Sequence, residues 1–522
     1  MTAGSLTAVR VRLPARGAHE LSTVLRPRQT VARPLTGVHA LVPGAVLEGD
    51  PAGVEVTGVT HDSRAVRPGD LYAALPGSTV HGADFIGRAA AAGAVAVLTD
   101  RPGPHPLPTV VVADPRRHLG PVSAWVYDDP SRSLEVVGIT GTNGKTTSAY
   151  LVEAGFRAAG QRTGLIGTVE TRVGDEVLES AHTTPEAPDL HALLAVMRER
   201  DVTGVAMEVS SHGLALGRVD GVRYAAAVFT NLSQDHLDFH GDMEEYFKAK
   251  AALFDESRSA VAVVNVDDAA GRRLLDRVRI PLVMTSARGS HTADWRATDV
   301  TATAEGTSFR LHGPGLTEPL PVSLRIPGRF NVDNVLGAVA ALHAVGVDTA
   351  TAVAGMAALP GVPGRLERVD VGQEFLALVD YAHTPEAVAS VLAVLRPLTP
   401  GRLIVVLGCG GDRDRSKRPL MGAAAARGAD VVVVTSDNPR SEDPLAIVAV
   451  VELGAREVRS ADVVVEPDRS AAIALACASA RSGDTVLVAG KGHEQGQVLA
   501  DRTIPFDDRE VLAHHLAAAV SP

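Results

Sequence analysis

Leu134-Glu135-Val136-Val137-Gly138-Ile139-Thr140-Gly141-Thr142-Asn143-Gly144-Lys145-Thr146-Thr147 is the stretch that decides how the middle of the chain folds. Leu134 to Ile139 is a short Val/Ile-rich run and reads as a buried strand. From about Thr146 an Ala/Leu-rich stretch reads as a helix. A glycine loop between strand and helix aims backbone N–H groups and the positive end of the helix dipole at one point, which suits phosphate. There Lys145 would reach the β- and γ-phosphates of a nucleotide, and the Thr146 hydroxyl would ligate Mg. The strict spacing G-x-x-x-x-G-K-[ST] fails, because position 139 is Ile and the glycines are Gly138 and Gly141. The alternative is a chance glycine-rich turn, but strand, loop, Lys-Thr-Thr and helix all come in the required order. Guanine readers carry Asn-Lys-x-Asp after a later strand. The nearest match, Asn265-Val266-Asp267-Asp268, lacks the lysine, which disfavours a GTPase.

Around this loop, short Val/Ala/Leu-rich strands alternate with Ala-rich helical stretches, predicting α/β domains with mostly parallel sheets. A length of 522 residues is too great for one core and suggests about three domains. Breaks at Asp128-Asp129-Pro130-Ser131 and near Pro360-Gly361-Val362-Pro363-Gly364 divide the chain into 38–133, 134–360 and 361–522. Residues 1–37 carry six arginines and one acid, Glu20, and read as a basic, flexible extension. The net charge of −11 argues against a nucleic-acid binder. No apolar run reaches membrane-helix length and no signal-peptide core is present. Two cysteines, Cys409 and Cys477, argue against a disulfide framework and fit a reducing cytoplasm.

Lysine is scarce: 45 of the 50 basic residues are Arg, leaving Lys145, Lys248, Lys250, Lys417 and Lys491. Where arginine serves as the general cation, a surviving lysine points to a role that guanidinium cannot fill. Chance survival is the competing explanation.

Two further loops are expected beside the phosphate loop. Gly204 to Met207 reads as a strand with Glu208 at its C-terminal end. Val228-Phe229 ends another, followed by Thr230-Asn231-Leu232-Ser233-Gln234-Asp235-His236. In open parallel sheets the C-terminal strand ends share one rim, where ligands bind. Glu208 and His236 are thereby expected near the phosphates, at a Mg site. Lys250, on a helix, stays open between three readings: a carbamate, which would be an anionic oxygen ligand, a phosphate partner, or a surface charge.

Gly141-Thr142-Asn143-Gly144-Lys145-Thr146-Thr147, Met207-Glu208-Val209-Ser210-Ser211-His212-Gly213 and Asn231-Leu232-Ser233-Gln234-Asp235-His236-Leu237-Asp238 together resemble the Mur ligases, and more closely their diaminopimelate-adding branch. The resemblance runs from about residue 55 to about residue 510. It implies a UDP-substrate-binding domain, a central ATPase domain and a C-terminal Rossmann-like domain that binds the amino acid. It implies ATP and Mg as cofactors and catalytic roles for Lys145, Lys250, Glu208 and His236. Lys250 would be carbamylated and would share the metals with Thr146, Glu208 and His236. Asn331, Asp380 and His383 would join residues 141–147 in binding ATP. Ser63, Thr183, Thr184, Ser210 and Arg218 would contact UDP-MurNAc-L-Ala-D-Glu. Leu216 stands where some relatives have glutamine, so that contact is not carried over.

In the C-terminal part, three strands lead into loops bearing Gly408-Cys409-Gly410-Gly411-Asp412-Arg413, Ser436-Asp437-Asn438-Pro439-Arg440 and Gly490-Lys491-Gly492-His493-Glu494. Arg413, Asp437, Asn438, Pro439, Arg440, Gly490 and Glu494 are the expected diaminopimelate site. Arginines would fork the distal carboxylate and Glu494 would take the distal ammonium. The bland alternative makes Asp437-Asn438-Pro439 a turn and Arg440 a surface cation. Gly408-Cys409-Gly410-Gly411 does not fit a dinucleotide fingerprint. The implied reaction is ATP-driven amide formation through an acyl phosphate, for peptidoglycan precursor synthesis, in a cytoplasmic monomer with small-molecule substrates. The rivals are a lysine-adding Mur ligase, a folylpolyglutamate-type synthetase and, from another class, a non-catalytic ATP-binding switch.

Overall fold

The computed structural model describes residues 25–77, 79–178, 180 and 182–520. Three α/β units follow one another along the chain. The first is built on a five-stranded sheet in the order Val46–Glu48, Thr109–Val111, Ala96–Thr99, Asp70–Ala74, Gly58–Thr60, parallel except for the first pair. The second carries an eleven-stranded sheet. Its parallel centre runs Thr163–Ile166, Gly204–Glu208, Glu135–Thr140, Ala226–Phe229, Ala262–Asn265, Leu282–Ser286, Trp295–Ala302. Antiparallel hairpins close both edges, with Thr171–Val173 and Glu176–Leu178 on one side and Thr307–His312 and Leu320–Leu324 on the other. The third has a six-stranded sheet ordered Glu367–Arg368, Leu376–Asp380, Thr485–Ala489, Leu403–Leu407, Val431–Val434, Asp462–Val465, parallel after its first pair.

The central strands are Val/Ala/Ile runs buried on both faces, as a parallel sheet between helical layers requires. One face packs Val137, Ile139 and Val228 under Leu151, Phe156, Leu336 and Val339. The other packs Val136, Met207 and Phe229 under Leu190, Leu194 and Phe254. The C-terminal sheet is likewise covered, by Val391, Leu395 and Val451 on one face and Ile473, Leu512 and Leu516 on the other. Helix starts are capped by short polar side chains. Ser210 accepts from Gly213 N, Thr384 from Ala387 N and Asp468 from Ala471 N.

The expected flexible extension needs correction. Of residues 1–37, 1–24 lie outside the described residues, but from residue 25 the chain is docked. Arg26 forms an ion pair with buried Asp70 at 3.2 Å and reaches the Tyr127 hydroxyl. Glu199 accepts from the backbone N–H groups of Arg28 and Gln29. Arg33–Pro34 pairs with Glu55–Val56. Arg26 and Arg33 are not spare charge, because the acids that pair with them, Asp70 and Asp128, lie elsewhere in the sequence.

Candidate active site

Glu135–Thr140 delivers the phosphate loop to the C-terminal rim of the central sheet, and the helix Lys145–Ala158 leaves it. Two positions in the loop require glycine. Gly141 has φ +151 and a Cβ there would lie 1.9 Å from Thr230 Oγ1. Gly144 has φ +88 and faces Asn334 Oδ1 at 2.3 Å from that point. The loop is tied to its neighbour: Thr142 N donates to Asn231 O, and Asn143 N to Asn231 Oδ1, both at 2.9 Å. Lys145 Nζ folds back on Gly141 O and Thr142 O at 2.9 and 2.8 Å. Burial lowers its pKa, opposed by Glu208 and Asp235.

Glu208 ends its strand fully buried and gathers three donors. They are the Thr146 hydroxyl at 3.1 Å, Thr168 N at 2.8 Å and the Thr168 hydroxyl at 3.0 Å. Lys250 is 1 % exposed, which removes the surface-charge reading. Its Nζ donates to Gly141 O at 2.8 Å and lies 4.6 Å from the Tyr246 ring centroid. Burial, and then the charge of Lys145, drive its pKa well below the usual lysine value. His236 has φ 56 and sits 3.3 Å from Asp235. Burial lowers its pKa, opposed by the Asp235 carboxylate, which favours the neutral imidazole.

The oxygen donors of Thr146 and Glu208 fit Mg, and His236 lines the same cavity. Lys250 fits only after conversion, since an ammonium carries no lone pair. An unprotonated buried amine is, however, the form that can take up carbon dioxide.

The substrate residues expected in the central unit come together around the same rim. Thr183 and Thr168 share a hydroxyl contact at 3.0 Å. The Thr184 hydroxyl donates to Glu208 O, and Ser210 N donates to Thr184 Oγ1, both at 3.0 Å. Arg218 reaches Thr184 O at 3.3 Å and pairs with Glu186 at 2.8 Å. Ser63 lies apart in the first unit, buried beside the Tyr72 hydroxyl, in a loop whose Asp62 pairs with Arg64 at 2.9 Å.

The C-terminal unit closes over this rim. A cavity of about 700 Å³ is lined by phosphate-loop residues 142–147, Thr183, Glu208, Ser210, His236 and Lys250, and equally by Asn331, Asp380 and His383. Asp380 accepts from Leu366 N and Ala382 N at 2.7 and 2.8 Å, and its burial raises its pKa. His383 Nε2 comes within 3.9 Å of Asp235. Asn331 Oδ1 accepts from Asn334 Nδ2 at 2.9 Å.

The expected amino-acid residues form a second cluster, on the C-terminal rim of the third sheet and outside the lining of that cavity. A Cβ built on Gly410 would be 2.9 Å from Arg440 Nη1 and 3.9 Å from Arg413 Cγ, so the two arginines flank one loop. Arg440 donates to Gly411 O at 2.8 Å and Arg413 to Asp412 O at 2.9 Å. Gly411 N donates to Asn438 O at 2.9 Å and packs against Pro439 O. Asn438 Nδ2 donates to Glu494 at 2.8 Å. Gly490 lies against the Asp437 carboxylate.

Three contributors escaped the sequence reading. Thr168 follows a strand with nothing but a hydroxyl to mark it. Arg365, one residue beyond the expected linker, donates to Thr146 Oγ1 at 2.8 Å and stacks 4.5 Å from the Tyr381 ring centroid. Lys491 was marked only by the rarity of lysine.

Family comparison matches a stretch in each of the three units. Residues 139–342 match the Mur ligase middle domain, 364–492 the Mur ligase glutamate ligase domain, and 55–118 the Mur ligase family catalytic domain. The chain belongs to the Mur ligase family. A relative from Streptomyces avermitilis named UDP-N-acetylmuramoyl-L-alanyl-D-glutamate--2,6-diaminopimelate ligase is 58% identical over 495 residues, 93% of this Mur ligase and 97% of the relative. One of the same name from Corynebacterium glutamicum is 48% identical over 466 residues, 86% and 89% of the two chains. A solved structure bearing that name matches with TM-score 0.67 at 32% identity, covering 95% of this Mur ligase and 100% of that chain. Folylpolyglutamate synthase of Mycobacterium tuberculosis, at 21% identity and TM-score 0.58 over 72% of this Mur ligase and 92% of that chain, shares the fold alone. Among the described residues no helix is long and apolar enough to cross a membrane.

Proposed function

We propose that this Mur ligase joins meso-diaminopimelate to the γ-carboxylate of UDP-MurNAc-L-Ala-D-Glu at the expense of ATP, in peptidoglycan precursor synthesis. The observation that carries this is the single cavity onto which the phosphate loop, Glu208, Lys250, Thr183, Ser210, Asp380 and His383 all open. The first half of the reaction needs a nucleotide and a carboxylate in one enclosed place, and two units of the chain wall it in; the loops proposed to hold the amine lie outside its lining, on the rim of the third sheet.

A γ-carboxylate oxygen attacks the γ-phosphorus of ATP, the bond to the β-phosphate oxygen breaks, and ADP leaves. The acyl phosphate is then attacked at its carbonyl carbon by the amine of diaminopimelate. The C–O bond to phosphate breaks, the amine sheds a proton, and the amide and inorganic phosphate remain. Two anions must approach in the first step, and Lys145 offsets that repulsion from the phosphate loop. Thr146, Glu208, His236 and carbamylated Lys250 would hold Mg, which supplies further charge neutralisation. Thr183, Thr184, Ser210 and Arg218 orient the glutamyl end. Asn331, Asp380 and His383 hold the nucleotide from the hinge side. Ser63 belongs to the uridine site of a first domain of about residues 38–133, with 134–360 and 361–522 as the ATP and amino-acid domains. Arg413 and Arg440 fork the distal carboxylate of diaminopimelate. Asp437, Asn438, Pro439 and Gly490 shape the pocket, and Glu494 takes the distal ammonium. Lysine lacks that carboxylate and would leave the arginines unpaired, at a cost of about 1–3 kcal/mol. The enzyme is assigned to the cytoplasm, as a monomer.

The decisive test supplies UDP-MurNAc-L-Ala-D-Glu and ATP with diaminopimelate, lysine, glutamate or no amine, and weighs the product by mass spectrometry. Diaminopimelate alone should give an amide. Equal product with lysine would overturn the amino-acid assignment, and phosphate release without any amide would favour an ATP-binding switch.

A further inference from the structure

Lys491 is fully enclosed, at 0 % exposure, in the third loop of the amino-acid cluster, where it faces the loop bearing Asp437 and Asn438. A buried ammonium persists only where polar partners replace its lost water. Here they are Asn438 Oδ1 at 2.9 Å, Glu494 Oε2 at 3.1 Å and Asp437 Oδ1 at 4.0 Å. These contacts impose an order on their neighbours. Asn438 Oδ1 accepts from Lys491 and from Val498 N at 2.9 Å, so its amide nitrogen must face the other way, where it donates to Glu494 Oε2 at 2.8 Å. Glu494 Oε2 thus carries two donors, while Oε1 has no hydrogen bond among the described residues. Glu494 keeps 32 % of its side chain exposed.

We propose that Lys491 is a positioning residue for substrate selection. Through Asn438 and Oε2 it pins the Glu494 carboxylate, turning the free oxygen toward the distal ammonium of the amino-acid substrate. This rests on the reading of the cluster as the diaminopimelate site. It also accounts for lysine at 491 in a chain so rich in arginine. A compact ammonium satisfies three groups around one point, and a planar guanidinium is too wide for a site with no exposed surface.

The test compares two amines, diaminopimelate and 2-aminopimelate, which keeps the distal carboxylate and lacks only the distal ammonium. Wild type should prefer diaminopimelate in kcat/KM by about tenfold or more, the range for a hydrogen bond to a charged group. Lys491→Met should bring that ratio close to one through the KM of diaminopimelate, while the KM values for ATP and for UDP-MurNAc-L-Ala-D-Glu stay put. If Lys491→Met does not fold, Asn438→Ala removes one of the two donors on Oε2 with the lysine retained, and the ratio should fall part of the way there. A ratio kept at its wild-type value in the folded variants, with both amines slowed alike, would overturn the proposal and make Lys491 a packing group. Failure of wild type to ligate diaminopimelate at all, or to prefer it over 2-aminopimelate, would instead refute the site reading beneath.

Discussion

Three side chains illustrate what a single residue decides. The amine of Lys250 is held dry at 2.8 Å from Gly141 O, and its depressed pKa suits carbamate formation rather than ion pairing. Lys250→Ala should cut ligation by about a hundredfold or more, with partial recovery on adding short carboxylates. Full activity of the variant in a coupled ADP assay would remove Lys250 from the mechanism. Arg440 takes φ 51 to turn its guanidinium onto the Gly411 carbonyl. Arg440→Ala should raise the KM for diaminopimelate about tenfold to a hundredfold and leave that for ATP alone; an unchanged amino-acid KM refutes the fork. Asp333, beside Asn265 at 3.1 Å, has its pKa pushed up to about 7 by burial and then by the Asp267 charge. Between the unfolded value near 4 and about 7 the folded state therefore binds the extra proton, so stability falls as pH rises through that window. The effect is at most about 4 kcal/mol, and less because the carboxyl is only half-buried. Asp333→Asn should flatten that slope in melting temperatures read from pH 5 to 8, and an identical slope in both proteins would clear Asp333 of the effect.

At the scale of elements, both sheets work through the same device: polar residues sit in loops just past the C-terminal ends of parallel strands. Alternation of short apolar runs with helical stretches made those strand ends readable, because a strand buried on both faces must be apolar throughout. What supports the loops from beneath was not readable. Arg469, at the start of the helix Arg469–Ser479, forms a wholly buried pair with Asp508 at 2.7 Å. It also donates to Ser436 O and Ala489 O at 3.3 and 3.0 Å, where two of the three loops of the amino-acid cluster begin. Asp508→Ala leaves that guanidinium without its carboxylate and should destabilise the C-terminal unit by about 3–5 kcal/mol. Chemical denaturation checks this; a loss below about 1 kcal/mol would mean that the carbonyls alone satisfy Arg469.

For the whole molecule, the cavity is a property of two units brought together. Arg365 links them, reaching Thr146 on one side and Tyr381 on the other. His493 packs 5.2 Å from Tyr381 and meets the Thr168 backbone, and Thr168 in turn holds Glu208. The amino-acid loop and the phosphate site therefore share one set of contacts across the hinge. Arg365→Ala should lower kcat about a hundredfold or more while calorimetric affinity for UDP-MurNAc-L-Ala-D-Glu stays within about twofold. Equal losses in both would point to general unfolding instead.

The α/β class, the phosphate loop and the placing of Glu208 and His236 just past strand ends were present in the order of residues, because strand, loop and helix signals are local, whereas the residues around Lys250 left its role open. The same is true of the three loops bearing Arg413, Arg440 and Glu494. Tertiary structure alone decided that Lys250 is buried rather than solvated, that residues 25–34 dock instead of trailing, and that Thr168 meets Glu208, Arg365 meets Thr146 and Lys491 meets Glu494. The reason is distance along the chain. Arg26 meets Asp70, Arg365 meets Thr146, and Lys491 meets Asn438; such pairs have no local pattern, since only the packing of one unit on another brings their charges and hydroxyls within reach.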